Sequence, residues 1–84
     1  MKKYKYSYTI CKDNSPEMFE KACIVLETCF PNIIKKELLV DVDGSTIQIF
    51  YERSEKIVVY DDYDVGAVYI ESDIDLNRMI KKFF

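Results

Sequence analysis

Residues 37–71 hold four apolar segments rich in β-forming residues, and their spacing constrains the fold more than any other feature. The segments are ELLVDV, STIQIFYE, KIVVY and AVYIE, with turn residues between them. The Asp43-Gly44 pair between the first two segments is a strong short-range signal for a β-hairpin. The pattern therefore predicts an antiparallel meander of four strands.

The turns predict a register for this meander. If Asp43 and Gly44 form a two-residue turn, Val40 lies opposite Ile47. A three-residue loop over residues 53–55 then places Glu52 opposite Lys56, a favourable pair of opposite charges. Because side chains alternate between the faces of a sheet, this register predicts one core face made of Leu38, Val40, Ile47, Ile49, Tyr51, Ile57 and Val59.

The other face of the predicted meander mixes polar and large apolar residues. A solvated face of an antiparallel sheet normally alternates to polar residues, yet this one would carry Leu39, Phe50, Val58 and Tyr60. We interpret these four residues as a candidate face for a homodimer. The alternative is that they are scattered surface hydrophobics, which are common on any protein.

The flanking segments predict one more strand and two helices. Alternating tyrosines favour a half-buried strand over Lys3–Ile10. Ser15 is a suitable N-cap for a helix that starts at Pro16, and Ser72 or Asp73 could cap a last helix. The chain is thus predicted to be a single α+β domain over residues 1–84, in the order β-α-β-β-β-β-α, with an antiparallel sheet and two helices on one face.

Several function classes are disfavoured by what the sequence lacks. It has no histidine and no glycine-rich phosphate loop, and its three cysteines have no zinc-type spacing. Asp41 and Asp43 could contribute to a cation site, but solvated aspartates beside a hairpin turn are far commoner. We therefore expect no catalytic activity, no metal and no cofactor.

The charge and hydropathy of the chain point to its environment. A net charge of −3 argues against nucleic-acid binding, which needs clustered Lys and Arg. No apolar run is long enough to span a bilayer, and the N-terminus lacks the apolar segment of a signal peptide. These features predict a cytoplasmic protein without membrane contact, with reduced cysteines.

Acidic residues are concentrated near the end of the chain and are interleaved with tyrosines. Residues 61–75 contain six acidic residues and neither Lys nor Arg. Carboxylates beside rigid tyrosines suit the docking of a basic protein. We predict a partner-binding patch made of Tyr60, Asp61, Asp62, Tyr63, Asp64, Tyr69 and Glu71. The alternative is a solvated acidic loop followed by helix-capping aspartates.

Small size, acidity and the lack of a catalytic set are features shared with stoichiometric protein inhibitors. The sequence therefore favours a non-catalytic inhibitor of a basic, toxin-like protein, comparable in character to an immunity protein or antitoxin. The alternative is a homo-oligomeric structural or sensory domain. The fold class by itself does not distinguish the two.

Overall fold

The sheet and helices follow the predicted order along the chain. The computed structural model describes residues 4–84. They form β1 (Tyr6–Cys11), α1 (Pro16–Cys29), β2 (Ile34–Val40), β3 (Thr46–Glu52), β4 (Glu55–Asp62), β5 (Ala67–Ser72) and α2 (Asn77–Phe83). The predicted α+β class is confirmed. The predicted start of the first strand at Lys3 lies outside the described residues.

The five strands form one antiparallel sheet in the order β1-β5-β4-β3-β2. The meander predicted for the last four strands is confirmed. Strand β1 extends the sheet by pairing with β5, and Tyr6 lies opposite Ser72. Helix α1 therefore connects one edge of the sheet to the other. This arrangement leaves β1 and β2 as the two edge strands.

The first hairpin differs from its predicted register. Val40 lies opposite Thr46 rather than Ile47, and the connection is a loop over residues 41–45 rather than a two-residue turn. Within it, the Asp41 N–H donates to the Ser45 carbonyl over 2.8 Å. Gly44 adopts a φ of +91°, which glycine tolerates without a steric penalty.

The second hairpin is also displaced by one residue. Glu52 lies opposite Glu55 rather than Lys56, so Arg53 and Ser54 alone form the turn. Arg53 has a φ of 60°, the left-handed conformation that such a two-residue turn requires. The three-residue loop and its opposite-charge pair were wrong predictions.

The displacement reverses the two faces of β3. Because a one-residue slip moves every side chain to the opposite face, Phe50 lies opposite Ile57 under the helices and is 0% exposed. Ile47 and Ile49 instead lie on the face away from the helices, which we call the open face. The predicted core face was right for Ile57 and Val59 and wrong for Ile47, Ile49 and Tyr51 of β3. Leu38 and Val40 of β2 lie on the predicted side of the sheet but are exposed.

The core lies between the sheet and the two helices. Buried residues of α1, the sheet and the α2 segment form one cluster: Ala22, Cys23, Val25, Leu26, Phe50, Ile57, Val59, Ile70, Leu76 and Met79. Both helices therefore cover the same sheet face, as predicted. Removal of this apolar surface from water is the main stabilising contribution.

The two helix starts had different outcomes. Ser15 caps α1 as predicted, and its side chain accepts a hydrogen bond from the Met18 N–H. Ser72 does not cap α2; its hydroxyl bonds within a turn to Ile74. The chain before α2 is held instead by the Tyr8 hydroxyl, which accepts the Leu76 N–H over 2.8 Å.

The cysteines are free thiols, as expected. Burial against the core raises the pKa of Cys23 to about 12, which disfavours its nucleophilic thiolate. Within residues 4–84, no helix has the length and apolar character needed to cross a membrane.

Helix α1 packs on β4 and leaves β2 uncovered. A groove of about 450 Å³ runs between α1 and the outer strands, with Phe19 of the helix on one side and Leu38 of β2 on the other. All seven residues of β2 are exposed as a result.

Candidate functional site

Two loops at one end of the sheet are joined by Ser45 and Tyr63. The buried Ser45 hydroxyl accepts a hydrogen bond of 2.8 Å from the Tyr63 N–H. The Tyr63 ring lies directly on Gly44, where an added Cβ would come within 3.0 Å of Tyr63 Cε2. The loop before β3 is thereby fixed against the loop after β4.

This junction brings together carboxylates that are distant in the sequence. A depression of about 270 Å³, here called the acidic depression, is lined by Asp41, Asp43, Ser45, Ile47, Tyr60, Asp62 and Asp64. Within residues 4–84, none of its four aspartates forms an ion pair with a Lys or Arg. The surface is therefore negatively charged.

Backbone N–H groups hold these carboxylates in place. Asp62 Oδ1 accepts hydrogen bonds from the N–H groups of Asp64 and Val65, at 2.9 and 3.2 Å. Asp43 Oδ1 accepts the Ser45 N–H at 2.9 Å, and this bond lowers the pKa of Asp43. Asp41 Oδ1 accepts the Val42 N–H in the same way. The carboxylates of Asp41, Asp43 and Asp62 are thus oriented by hydrogen bonds within their own loops.

A tyrosine pair flanks the acidic depression on the open face. The rings of Tyr60 and Tyr69 stack with centroids 4.5 Å apart. The Tyr69 hydroxyl donates to Asp62 Oδ2 over 2.8 Å, and the Glu71 carboxylate acts on Tyr60. Burial and then these carboxylates raise the pKa of both tyrosines above the usual value, so both remain neutral donors.

Most of the predicted partner-binding patch lies around this site. Asp62, Tyr63 and Asp64 are at the end of the sheet, and Tyr60, Tyr69 and Glu71 are linked to it along the open face. Of these six residues, Tyr63 and Asp64 are the most exposed. Tyr63 is 49% exposed, and Asp64 is also exposed.

Asp61 does not belong to this surface. It lies on the helix side of the sheet, is 3% exposed and accepts a 2.8 Å hydrogen bond from Asn14 Nδ2. Its inclusion in the patch was wrong because neighbouring residues of a strand point to opposite faces. The later acids also separate from the patch, since Asp75 lies beside Tyr8 at the other end of β5.

The residues of the predicted dimer face do not form one surface. Phe50 is in the core beneath the helices, so its assignment to that face was wrong. Val58 lies on the open face but is 2% exposed. Leu39 and Tyr60 are on the open face, each paired across the sheet with Ile47.

Sequence reasoning treated Asp41 and Asp43 only as candidate cation ligands and missed their place beside Asp62 and Asp64. The predicted meander already implied that these aspartates lie close together. The connection before β3 and the connection after β4 lie at the same end of an antiparallel sheet. Acids in these two connections are therefore neighbours in the fold.

Residues 4–84 contain no cluster of three or more His, Cys, Asp or Glu residues able to hold a metal ion. No model of a known protein family matches the chain, and neither the curated proteins nor the solved structures contain one that matches it.

Proposed function

We propose that the chain is a non-catalytic binding module that docks a basic protein at the acidic depression. The observation that supports this most directly is the set of four aspartates from two joined loops with no ion pair within residues 4–84. Like charges held this close repel one another and reduce stability. A cationic partner would relieve that repulsion on binding.

The order of the site favours binding of this kind. Because the loop carboxylates are already hydrogen-bonded to the backbone, a partner would pay little conformational entropy to organise them. The uncompensated negative field would also speed the encounter with a basic surface, most strongly at low salt.

Aromatic rings supply the complementary anchors. The exposed Tyr63 ring lies beside the acidic depression, and Gly44 supports it from below. Tyr60 forms part of the lining, and its stacked neighbour Tyr69 restricts its movement. Tyrosines with restricted rotamers are frequent hot spots of protein interfaces.

The dimensions favour a protein ligand. At about 270 Å³ the acidic depression lies just below the range of small-molecule sites, roughly 300–1,000 Å³. It has room for a protruding Lys or Arg side chain from a partner. In the specific form of the proposal, the chain is a stoichiometric inhibitor of a basic toxin, as an immunity protein or antitoxin would be.

The test compares two variants of equal net charge. Asp41→Asn with Asp64→Asn removes two charges from the acidic depression, whereas Glu20→Gln with Glu55→Gln removes two elsewhere. Glu55 begins β4, at the opposite end of the strand from Asp62. Tagged forms of each are used to capture proteins from the native cell, and captured proteins are quantified and then purified for kinetics.

We expect a basic protein to be captured by the wild type and by the control, and to be lost with the depression variant. Its association rate with purified wild type should fall steeply with salt. Equal capture by both variants, or capture without any basic protein, would contradict the proposal.

A further inference from the structure

The edge strand β2 has a β-bulge at its centre. Lys35 lies opposite Phe50 and Leu38 lies opposite Gln48, so Lys36 and Glu37 together face one residue of β3. The Gln48 side-chain amide donates to the Lys36 carbonyl and fixes this irregularity. Bulges at edges bend a strand and restrict what can pair with it.

Because of the bulge, side chains at equal distances on either side of the centre of β2 point to the same face of the sheet. Lys35 and Leu38 share the helix side with Phe50 and Gln48. Alternation from each flank therefore assigns both Lys36 and Glu37 to the open face. Farther out, Ile34 and Leu39 also share the open face, since their partners on β3 are Tyr51 and Ile47.

Such a pattern permits a self-pairing that a regular strand forbids. Residues directly opposite in an antiparallel pair must point to the same face. Neighbours in a regular strand point to opposite faces, so a two-fold axis perpendicular to the sheet cannot place residue 36 opposite residue 37. In β2 it can, because the bulge puts Lys36 and Glu37 on one face.

When residue 36 of one copy lies opposite residue 37 of another, the charges of the two β2 strands are complementary. Lys35 is already paired with Glu27, whose carboxylate lies 3.6 Å from the Lys35 ammonium. Lys36 and Glu37 form no ion pair with any residue from 4 to 84. Two antiparallel copies would place each Lys36 opposite Glu37 of the other copy, giving two favourable cross-strand charge pairs.

The apolar residues match in the same register. Ile34 and Leu39 are both large and exposed on the open face. Ile34 of each copy would lie opposite Leu39 of the other copy, which gives two apolar pairs. Leu38, exposed on the helix side, would lie opposite the aliphatic stem of Lys35 of the other copy, which can cover apolar surface. Charge, face and hydropathy therefore agree on one alignment.

We propose that β2 is a homodimer interface that pairs antiparallel with β2 of a second copy about a two-fold axis between Lys36 and Glu37. The axis keeps all helices on one side and continues the five strands of each copy into one sheet. The edge charges that deter general strand pairing select this partner, since only a strand with the reversed charge order fits.

The test is a charge swap measured by sedimentation between roughly 1 μM and 1 mM, the range expected for an interface of this modest size. Lys36→Glu or Glu37→Lys creates two like-charge pairs and should raise the dimer dissociation constant roughly tenfold or more. The double variant Lys36→Glu with Glu37→Lys restores both pairs and should dimerise again. Lys5→Glu, a charge reversal beside the other edge strand, is the matched control and should leave dimerisation unchanged.

Amide hydrogen exchange locates the interface in the same samples. Exchange in β2 should slow as the wild type dimerises and should slow less in either single variant at equal concentration. A wild type that stays monomeric throughout, single variants that dimerise as well as the wild type, or a double variant no better than the single ones would each overturn the proposal.

Discussion

The opposite positions of Phe50 and Leu39 in the fold give a quantitative test of the register. Phe50→Leu and Leu39→Ala each remove three side-chain carbons, worth about 2.4 kcal/mol if fully buried, at about 0.8 kcal/mol per carbon. Phe50 is wholly buried, so it should lose this amount, with an added contribution from the cavity left behind. Leu39 is 44% exposed, and water can fill the vacated space. The free energy of unfolding should therefore fall by about 1.3 kcal/mol in Leu39→Ala, since only the buried part of the side chain contributes.

The assay is urea unfolding of both variants, followed by circular dichroism, together with thermal unfolding. At about 4–8 °C per kcal/mol for a domain of this size, Phe50→Leu should lower Tm by at least ~10 °C and Leu39→Ala by ~5–10 °C. An unchanged dependence of stability on urea would show that both variants unfold from the same compact state. Equal losses, or a larger loss for Leu39→Ala, would refute the structural register and restore the one that the turn signals favour.

Two further changes probe the loop junction and the tyrosine pair. Gly44→Ala forces alanine into a φ of +91° against Tyr63 and should cost about 1–3 kcal/mol by urea unfolding, more than Gly66→Ala, whose Cβ would meet no atom within 4 Å. Equal costs for the two glycine variants would argue against the contact with Tyr63. Asp62→Asn should lower the pKa of Tyr69, measured by ultraviolet titration, because a carboxylate no longer opposes the phenolate. The raised pKa stabilises the wild type below pH ~10, the ordinary tyrosine value, and this contribution is lost at higher pH. The free energy of unfolding of Asp62→Asn should therefore fall less than that of the wild type as the pH rises above ~10. An unshifted titration would mean that burial alone sets the pKa of Tyr69.

The sequence determined the elements and their order because these depend on local patterns. The alternation in the meander and the Ser15 and Pro16 start of α1 were sufficient for correct predictions. The acidic and aromatic composition of the end of the chain also pointed to Tyr60, Asp62 and Asp64, three of the seven residues that line the acidic depression.

Tertiary contacts, not the local pattern, set which face of β3 is buried and how the acidic loops are held together. Both faces of β3 carry apolar residues, so a one-residue slip changes little in the local pattern. The choice depends on the helices, which pack Phe50 against Ile57 and Leu26 in one core. The meander places the loops of Asp41 and Asp62 at the same end of the sheet. What joins them there is the hydrogen bond from the Tyr63 N–H to Ser45, a contact across 18 residues that no local signal specifies.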